Sequence, residues 1–182
     1  MDACYRIRDA RETDLAQLPA IEQAADALFR TLPDAAERER DADPERNRGV
    51  SVETFRERFA EGRLWVAVDA GDRPVGFLMA GIVDGQAHLE EMDVIPEHGR
   101  RGIGTALMER GCRWVTETGF HTVTLTTDRH VPWNAPFYAR LGFEILEPAA
   151  FTPELAAIYE REIARGNSRD RRVAMRRSLS EG

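Results

Sequence analysis

Between Leu64 and Ile95 three β-patterned stretches, LWVAVD, VGFLMAGIV and AHLEEMDVI, are separated only by the turns AGDRP and DGQ. Connections this short join antiparallel neighbours, because a parallel pair needs a long crossover. The chain is therefore committed to a sheet with an antiparallel meander, and the remaining elements have to be arranged about it. At 182 residues and 42% hydrophobic content, it is long enough to bury one core and short for two. A single domain over 1–182 is expected.

On the N-terminal side, YRIRDA alternates as a strand, and ETDLAQLPAIEQAADALFRTL places Leu15, Leu18, Ile21, Ala25 and Leu28 at helical spacing, with Thr13 or Asp14 as its cap. PDAAERERDADPERNRG is charged and aperiodic, so residues 34–50 are read as an exposed, mobile connection. Ser51 then caps a short helix through Phe55 and Phe59. After the meander, Ile103, Leu107, Gly111 and Trp114 recur along one face of a helix that ends at Gly119. TVTLTT reads as a buried strand. A short helix capped by Asn134 and closed by Gly142 leads to the strand FEIL. A further helix over 153–166 precedes a last strand in RRVAMRRSL. Such an order implies one mixed sheet with helices on its faces.

A formal charge of −7 argues against a general nucleic-acid binder, whose affinity rests on many Lys and Arg contacts to phosphates. Arg165, Arg169, Arg171, Arg172, Arg176 and Arg177 form a C-terminal basic group that reads as solvated surface. No stretch approaches the roughly 18 apolar residues of a membrane span, and MDACYRIRDARETD lacks the greasy core of a signal peptide. The expectation is a soluble, cytoplasmic protein. Cys4 and Cys112, with His88, His98, His121 and His130, make neither a disulfide framework nor a metal-ligand spacing, so no metal is expected.

The chemistry concentrates in PEHGRRGIG, Pro96 to Gly104. It joins the end of a strand to the start of a helix, where unpaired N–H groups and partial positive charge suit a phosphate. Glycines let a ligand approach the backbone, and Arg100 and Arg101 add charge. A tight basic turn without a ligand is the plain alternative. A P-loop is excluded because no Lys precedes Thr105, and a dinucleotide fingerprint because the spacing is Gly99-x-x-Gly102-x-Gly104 after a meander strand.

MDVIPEHGRRGIGTALM, followed about thirty residues later by NAPFYARLGF, resembles the GNAT superfamily of acetyl-CoA-dependent N-acetyltransferases. The resemblance runs from YRIRDA to RVAMRRSL. It implies an α/β (α+β) fold with a central mixed, mostly antiparallel sheet of about seven strands and helices on both faces. It also implies that the backbone of Met92, Asp93 and Val94 binds the pantetheine arm of acetyl-CoA and that Arg100, Arg101, Gly102, Ile103, Gly104 and Thr105 cradle its pyrophosphate. Gly99 departs from the pattern, standing where the family has Arg or Gln, so Arg100 or Arg101 has to supply the missing side chain. Tyr138 matches the family tyrosine near the cofactor sulfur, a general acid. Asn134, one helical turn before it, either reaches the cofactor or caps the helix.

An alkyl ammonium with a pKa of about 10.4 must lose a proton before it attacks a thioester, at a cost of roughly 4 to 5 kcal/mol at pH 7. Glu91, favoured by the resemblance, and Glu90 and His88 are the candidate bases; Glu22 is another cleft carboxylate. Falling inside the long helix, Cys112 gives little support to a covalent acetyl-cysteine route. Three functions are carried forward. The first is acetylation of a primary amine on a small molecule, the second acetylation of a protein N-terminus or lysine, and the third a non-catalytic acyl-CoA sensor. No nucleic-acid or membrane partner is expected, and the oligomeric state is open, a homodimer included.

Overall fold

The meander forms as its short turns require. A computed structural model describes residues 5–41 and 49–179. Its strands are β1 (Arg6–Asp9), β2 (Leu64–Val68), β3 (Pro74–Val83), β4 (Gln86–Val94), β5 (Thr122–Asp128), β6 (Glu144–Leu146) and β7 (Arg172–Ser178). They are hydrogen-bonded into one seven-stranded sheet in the order β1-β2-β3-β4-β5-β7-β6. The helices are α1 (Leu18–Asp26), α2 (Ala35–Asp41), α3 (Val52–Ala60), α4 (Ile103–Glu117), α5 (Ala135–Arg140) and α6 (Pro153–Ala164). Two compact units can be distinguished, one from the described residues within Met1–Pro33, Arg48–Gly81 and Leu89–Trp114, the other from those within Asp34–Asn47, Ile82–His88 and Val115–Gly182.

In the first unit β2 pairs antiparallel with β1 and with β3, Val66 lying opposite Arg8 on one side and Phe77 on the other. β2 is buried throughout and β3 everywhere except Ile82, the pattern of strands covered on both faces. Leu64, Val66, Val68, Phe77 and Met79 join Leu15, Leu18, Ile21 and Phe55 in one core cluster, which puts α1 and α3 on that face. The alternate residues turn the other way: the Trp65 ring lies 5.7 Å from that of Trp114 on α4. A Cβ on Gly111 would come within 2.6 Å of Leu78 Cδ2, so the glycine is what lets α4 lie this close to the sheet.

The single helix expected over Glu12 to Leu32 is instead three pieces: a 3-10 segment Glu12–Gln17, then α1, then a 3-10 segment Ala27–Thr31. Pro19 sits in the first turn of α1, where its missing N–H is tolerated only because a new helix begins there. Neither Thr13 nor Asp14 is the cap. Arg11 holds that position, and the Asp14 carboxylate reaches back to accept from Arg11 N at 2.7 Å. Asp14 is also the buried partner of Arg8, accepting from Nη1 at 2.6 Å and from Nη2 at 3.1 Å. Arg8 Nε donates as well to Asp72, in the β2–β3 turn. Hydrogen bonds from Arg11, Arg8 and Arg6 draw the Asp72 carboxyl down to about 2.

In the second unit β7 pairs antiparallel with β5 on one side and β6 on the other. The first residues of β4 run beside β5 in the same direction: Thr122 Oγ1 donates to Gln86 Oε1 at 3.0 Å, and two residues further along each strand His88 Nδ1 lies 2.8 Å from Thr124 Oγ1. α4 supplies the crossover that this parallel step needs, which makes the sheet mixed. α6 covers Val83 and Ala174 with Leu155 and Ile158.

Part of the connection read as an exposed loop over 34–50 is ordered as helix α2, while 42–48 and Cys4 lie outside the described residues. Arg38 on α2 donates to Asp34 Oδ2 at 2.9 Å and to Asp128 Oδ2 at 2.6 Å. Arg171, expected on a solvated surface, keeps only 13% of its side chain exposed, against Asp34 and Glu37. Arg172 likewise donates to Glu162 and to Thr126 Oγ1. These arginines fasten helices to the sheet. No helix among the described residues is long and apolar enough to cross a membrane.

Candidate active site

The burial of β4 changes along its length. Ala87, His88 and Leu89 are buried, whereas Glu90 through Val94 are each half-buried. The half-exposed part belongs to the first unit and runs straight into the glycine loop. After Val94 the chain makes one 3-10 turn, Pro96–His98, closed by Gly99 N donating to Pro96 O at 3.0 Å. Arg100 then takes φ +57° and Gly102 φ +79°, the left-handed region that an L side chain rarely adopts. This reversal turns the chain directly into α4, whose ladder begins with Ala106 N donating to Gly102 O. The amides of Gly102, Ile103, Gly104 and Thr105 therefore precede the helical ladder, and the first turn carries no acidic residue. A diphosphate fits such a loop on both charge and donor count.

The two arginines separate. Arg101 Nη1 donates to Tyr5 Oη at 2.7 Å, and the same hydroxyl lies 2.9 Å from His98 Nδ1. Arg101 is thus hydrogen-bonded to the residue preceding β1, and both arginines are exposed.

Of the candidate bases, Glu90 is ion-paired. Both its oxygens are held by Arg58 of α3, Oε2 by Nε at 2.5 Å and Oε1 by Nη2 at 2.8 Å, and this pairing holds the Arg58 guanidinium well above its usual range. His88, 3% exposed and bonded to Thr124, is taken up by the sheet of the second unit.

Glu91 stands with a different set of acids. Asp93 Oδ2 is buried and has no hydrogen-bond partner. Burial pushes the Asp93 carboxyl well up, and Glu91, Asp26 and Glu22 push it further. Glu22 accepts Val50 N through both oxygens, at 2.8 and 3.0 Å, yet burial still raises it. Asp26, one turn further along α1, is raised by desolvation against the pull of Arg30. The sequence reading missed Asp26, although its i,i+4 spacing from Glu22 places both on one face of the helix.

The raised Asp93 has a consequence for stability. The folded chain keeps this proton at pH values where the unfolded chain, with an aspartate pKa of about 3.9, has lost it. Its contribution is thus present at low pH and is lost as pH rises from about 4 through the raised value. Asp93→Asn should gain urea resistance relative to the native protein as pH increases from about 4 to about 8; parallel profiles for the two proteins would contradict this.

In the second unit Tyr138 lies on α5, half-buried, its ring 5.2 Å from Phe137 and 6.0 Å from Phe143. Asn134 occupies the N-cap position of α5, but its side chain makes no capping hydrogen bond, contrary to expectation. Gly142 closes the helix as expected, at φ +85°.

Comparison with known proteins bears on the family and the fold. The model of the acetyltransferase (GNAT) family matches residues 21–143. An acetyltransferase of the GNAT family from Staphylococcus aureus superposes with a TM-score of 0.72 at 13% identity, over 97% of this chain and 100% of that one. The ribosomal-protein-S18-alanine N-acetyltransferase from Escherichia coli gives 0.66 at 20% identity, over 98% and 96%. The PaiA N-acetyltransferase from Thermoplasma acidophilum, in complex with coenzyme A, gives 0.66 at 15% identity, over 97% and 99%. The chain belongs to the GNAT acetyltransferase family and is an acyltransferase.

Proposed function

We propose that the protein transfers the acetyl group of acetyl-CoA directly to a primary amine of a small molecule. The observation that carries this reading is the continuous run, within one unit, from the half-exposed Glu90–Val94 backbone to the unspent amides that open α4. The coenzyme A complex of the Thermoplasma acidophilum protein supports the choice of donor.

In this reading the amides of Gly102 to Thr105 and the Arg100 guanidinium hold the diphosphate, and the backbone of Met92, Asp93 and Val94 takes the pantetheine arm. When bound, acetyl-CoA supplies the acyl group as an activated thioester. Glu91 removes the proton of the acceptor ammonium, directly or through water, which relieves the roughly 4 to 5 kcal/mol cost of presenting a free amine at pH 7. Backbone N–H groups around Val94 face the negative charge that develops on the carbonyl oxygen. The Tyr138 hydroxyl delivers a proton to the departing sulfur.

Thiol release, measured over a panel of alkyl amines, amino acids and peptides, tests the reading. Turnover above background with small amines and near background with peptides is the expected result. Preferential turnover of peptide N-termini or lysines would instead assign a protein acetyltransferase. Acetyl-CoA binding without turnover on any acceptor would assign a sensor.

A further inference from the structure

The strand that leads towards Tyr138 ends in a carboxylate used on both of its oxygens. Asp128, the last residue of β5, is 7% exposed. Its Oδ1 accepts from His130 N at 2.8 Å and from Val131 N at 3.2 Å, while Oδ2 accepts from Arg38 Nη1 at 2.6 Å. The first two bonds close an Asx turn, in which a short acid side chain stands in for a backbone carbonyl. The third is the ion pair that fastens α2. The backbone here is fixed as well: Asp128 lies opposite Arg172 in the β5–β7 ladder, and Arg129 N donates to Arg171 O at 2.6 Å.

From this turn hydrogen bonds run without a gap to the tyrosine. Val131, whose amide Asp128 holds, is 1% exposed, and its carbonyl accepts from Asn134 N at 2.9 Å. Asn134 O accepts in turn from Phe137 N at 2.8 Å and Tyr138 N at 3.0 Å, and Tyr138 O accepts from Phe143 N at 3.1 Å. By itself α5 can do little to set its own direction. It has six residues, fewer than two turns, and its N-cap side chain makes no capping bond. A helix this short is aimed by the chain that enters it and by what it packs against.

We propose that Asp128 is a positioning residue for the Tyr138 hydroxyl, acting through the 128–131 turn and not through its ion pair with Arg38. The proposal rests on the proton-donor role given to Tyr138 above and adds the group that aims it. A proton donor works only within hydrogen-bond reach of the departing sulfur. Loosening the turn therefore lowers kcat, and it leaves alone the residues assigned to the diphosphate, which belong to the first unit.

Kinetics on a small set of variants, with the best acceptor of the amine panel, provide the test. Asp128→Ala should lower kcat by about 10²-fold, the scale of a misplacement near 1 Å, while the Kd for acetyl-CoA moves less than about twofold. Asp128→Asn keeps an acceptor for both amides and should recover most of that loss. Arg38→Met removes the ion pair and leaves the turn: its urea midpoint should fall, but its kcat should stay near the native value. Adding Asp128→Ala to Tyr138→Phe should lower kcat no further, because a group that acts only through the hydroxyl has nothing left to aim. Retained acetyl-CoA binding checks that each variant has folded. If the alanine variant fails that check, Asp128→Ser, whose hydroxyl is a weaker acceptor for the same amides, takes its place in the cycle. Native turnover in Asp128→Ala, losses that multiply in the double variant, or an Arg38→Met variant as slow as Asp128→Ala would overturn the proposal and leave Asp128 as a staple of the fold. Native turnover in Tyr138→Phe would instead remove the reading beneath it.

Discussion

Tyr138→Phe should reduce kcat by about 10²- to 10⁴-fold, the usual contribution of a positioned general acid, while the Kd for acetyl-CoA moves less than about twofold. Only the hydroxyl is removed. The ring contacts to Phe137 and Phe143 survive in the variant, so its thermal midpoint should stay close to that of the native protein. Stopped-assay kinetics with isothermal titration of acetyl-CoA separate the two effects. The profile of kcat against pH adds a readout that packing does not move, because its alkaline limb should vanish with the phenol. Unchanged turnover in the variant would withdraw the proton-donor role and leave Tyr138 as a ring in the α5 core.

The second large effect concerns folding. Asp14→Ala removes a carboxylate with 5% of its side chain exposed from an arginine with 12% exposed. Taking one member from such a pair leaves the other charge poorly compensated and costs about 3 to 5 kcal/mol. Asp72 still accepts from Arg8 Nε at 3.2 Å, which places the expectation at the lower end. The Arg11 amide loses its acceptor at the same time. Urea unfolding should show the loss as a shifted midpoint at an unchanged slope. Replacing Arg8 by Met together with Asp14 by Leu should recover much of it, since an apolar pair of similar volume avoids desolvating two charges. A single-variant loss below about 1 kcal/mol would place the pair among ordinary surface salt bridges.

The meander, the capped α3, the α4 stop at Gly119 and the helix-closing Gly142 were legible because each is dictated by residues adjacent in sequence. Turn length, a serine cap and a left-handed glycine are local facts. Errors arose where a distant partner decides. Asp14 looks like a helix cap until Arg8, on β1, is brought beside it. Nor does the sequence around Glu90 reveal that Arg58, on α3, closes on both of its oxygens. Residues 35–41 look like a solvated run because nothing nearby in sequence reveals that Asp128 and Arg171 wait for Arg38 and Asp34. At the loop the motif gave two arginines and no way to choose between them. The Tyr5 hydroxyl, nearly a hundred residues earlier, distinguishes them in the structure by accepting a hydrogen bond from Arg101.

The interleaving of the two units along the chain bears on how the protein is made. The first unit draws its last residues from Leu89–Trp114, and the second has already begun before that, in Asp34–Asn47 and Ile82–His88. A ribosome has made every segment of the first unit by Trp114, whereas the second, begun earlier, still awaits Val115–Gly182, so its early segments emerge long before their partners. The half-buried end of β4 has no complete framework until α4 has emerged. Any truncation upstream of Trp114 removes α4 residues that cover Leu78 and Trp65, so a shortened transcript should yield protease-sensitive chain rather than a working fragment.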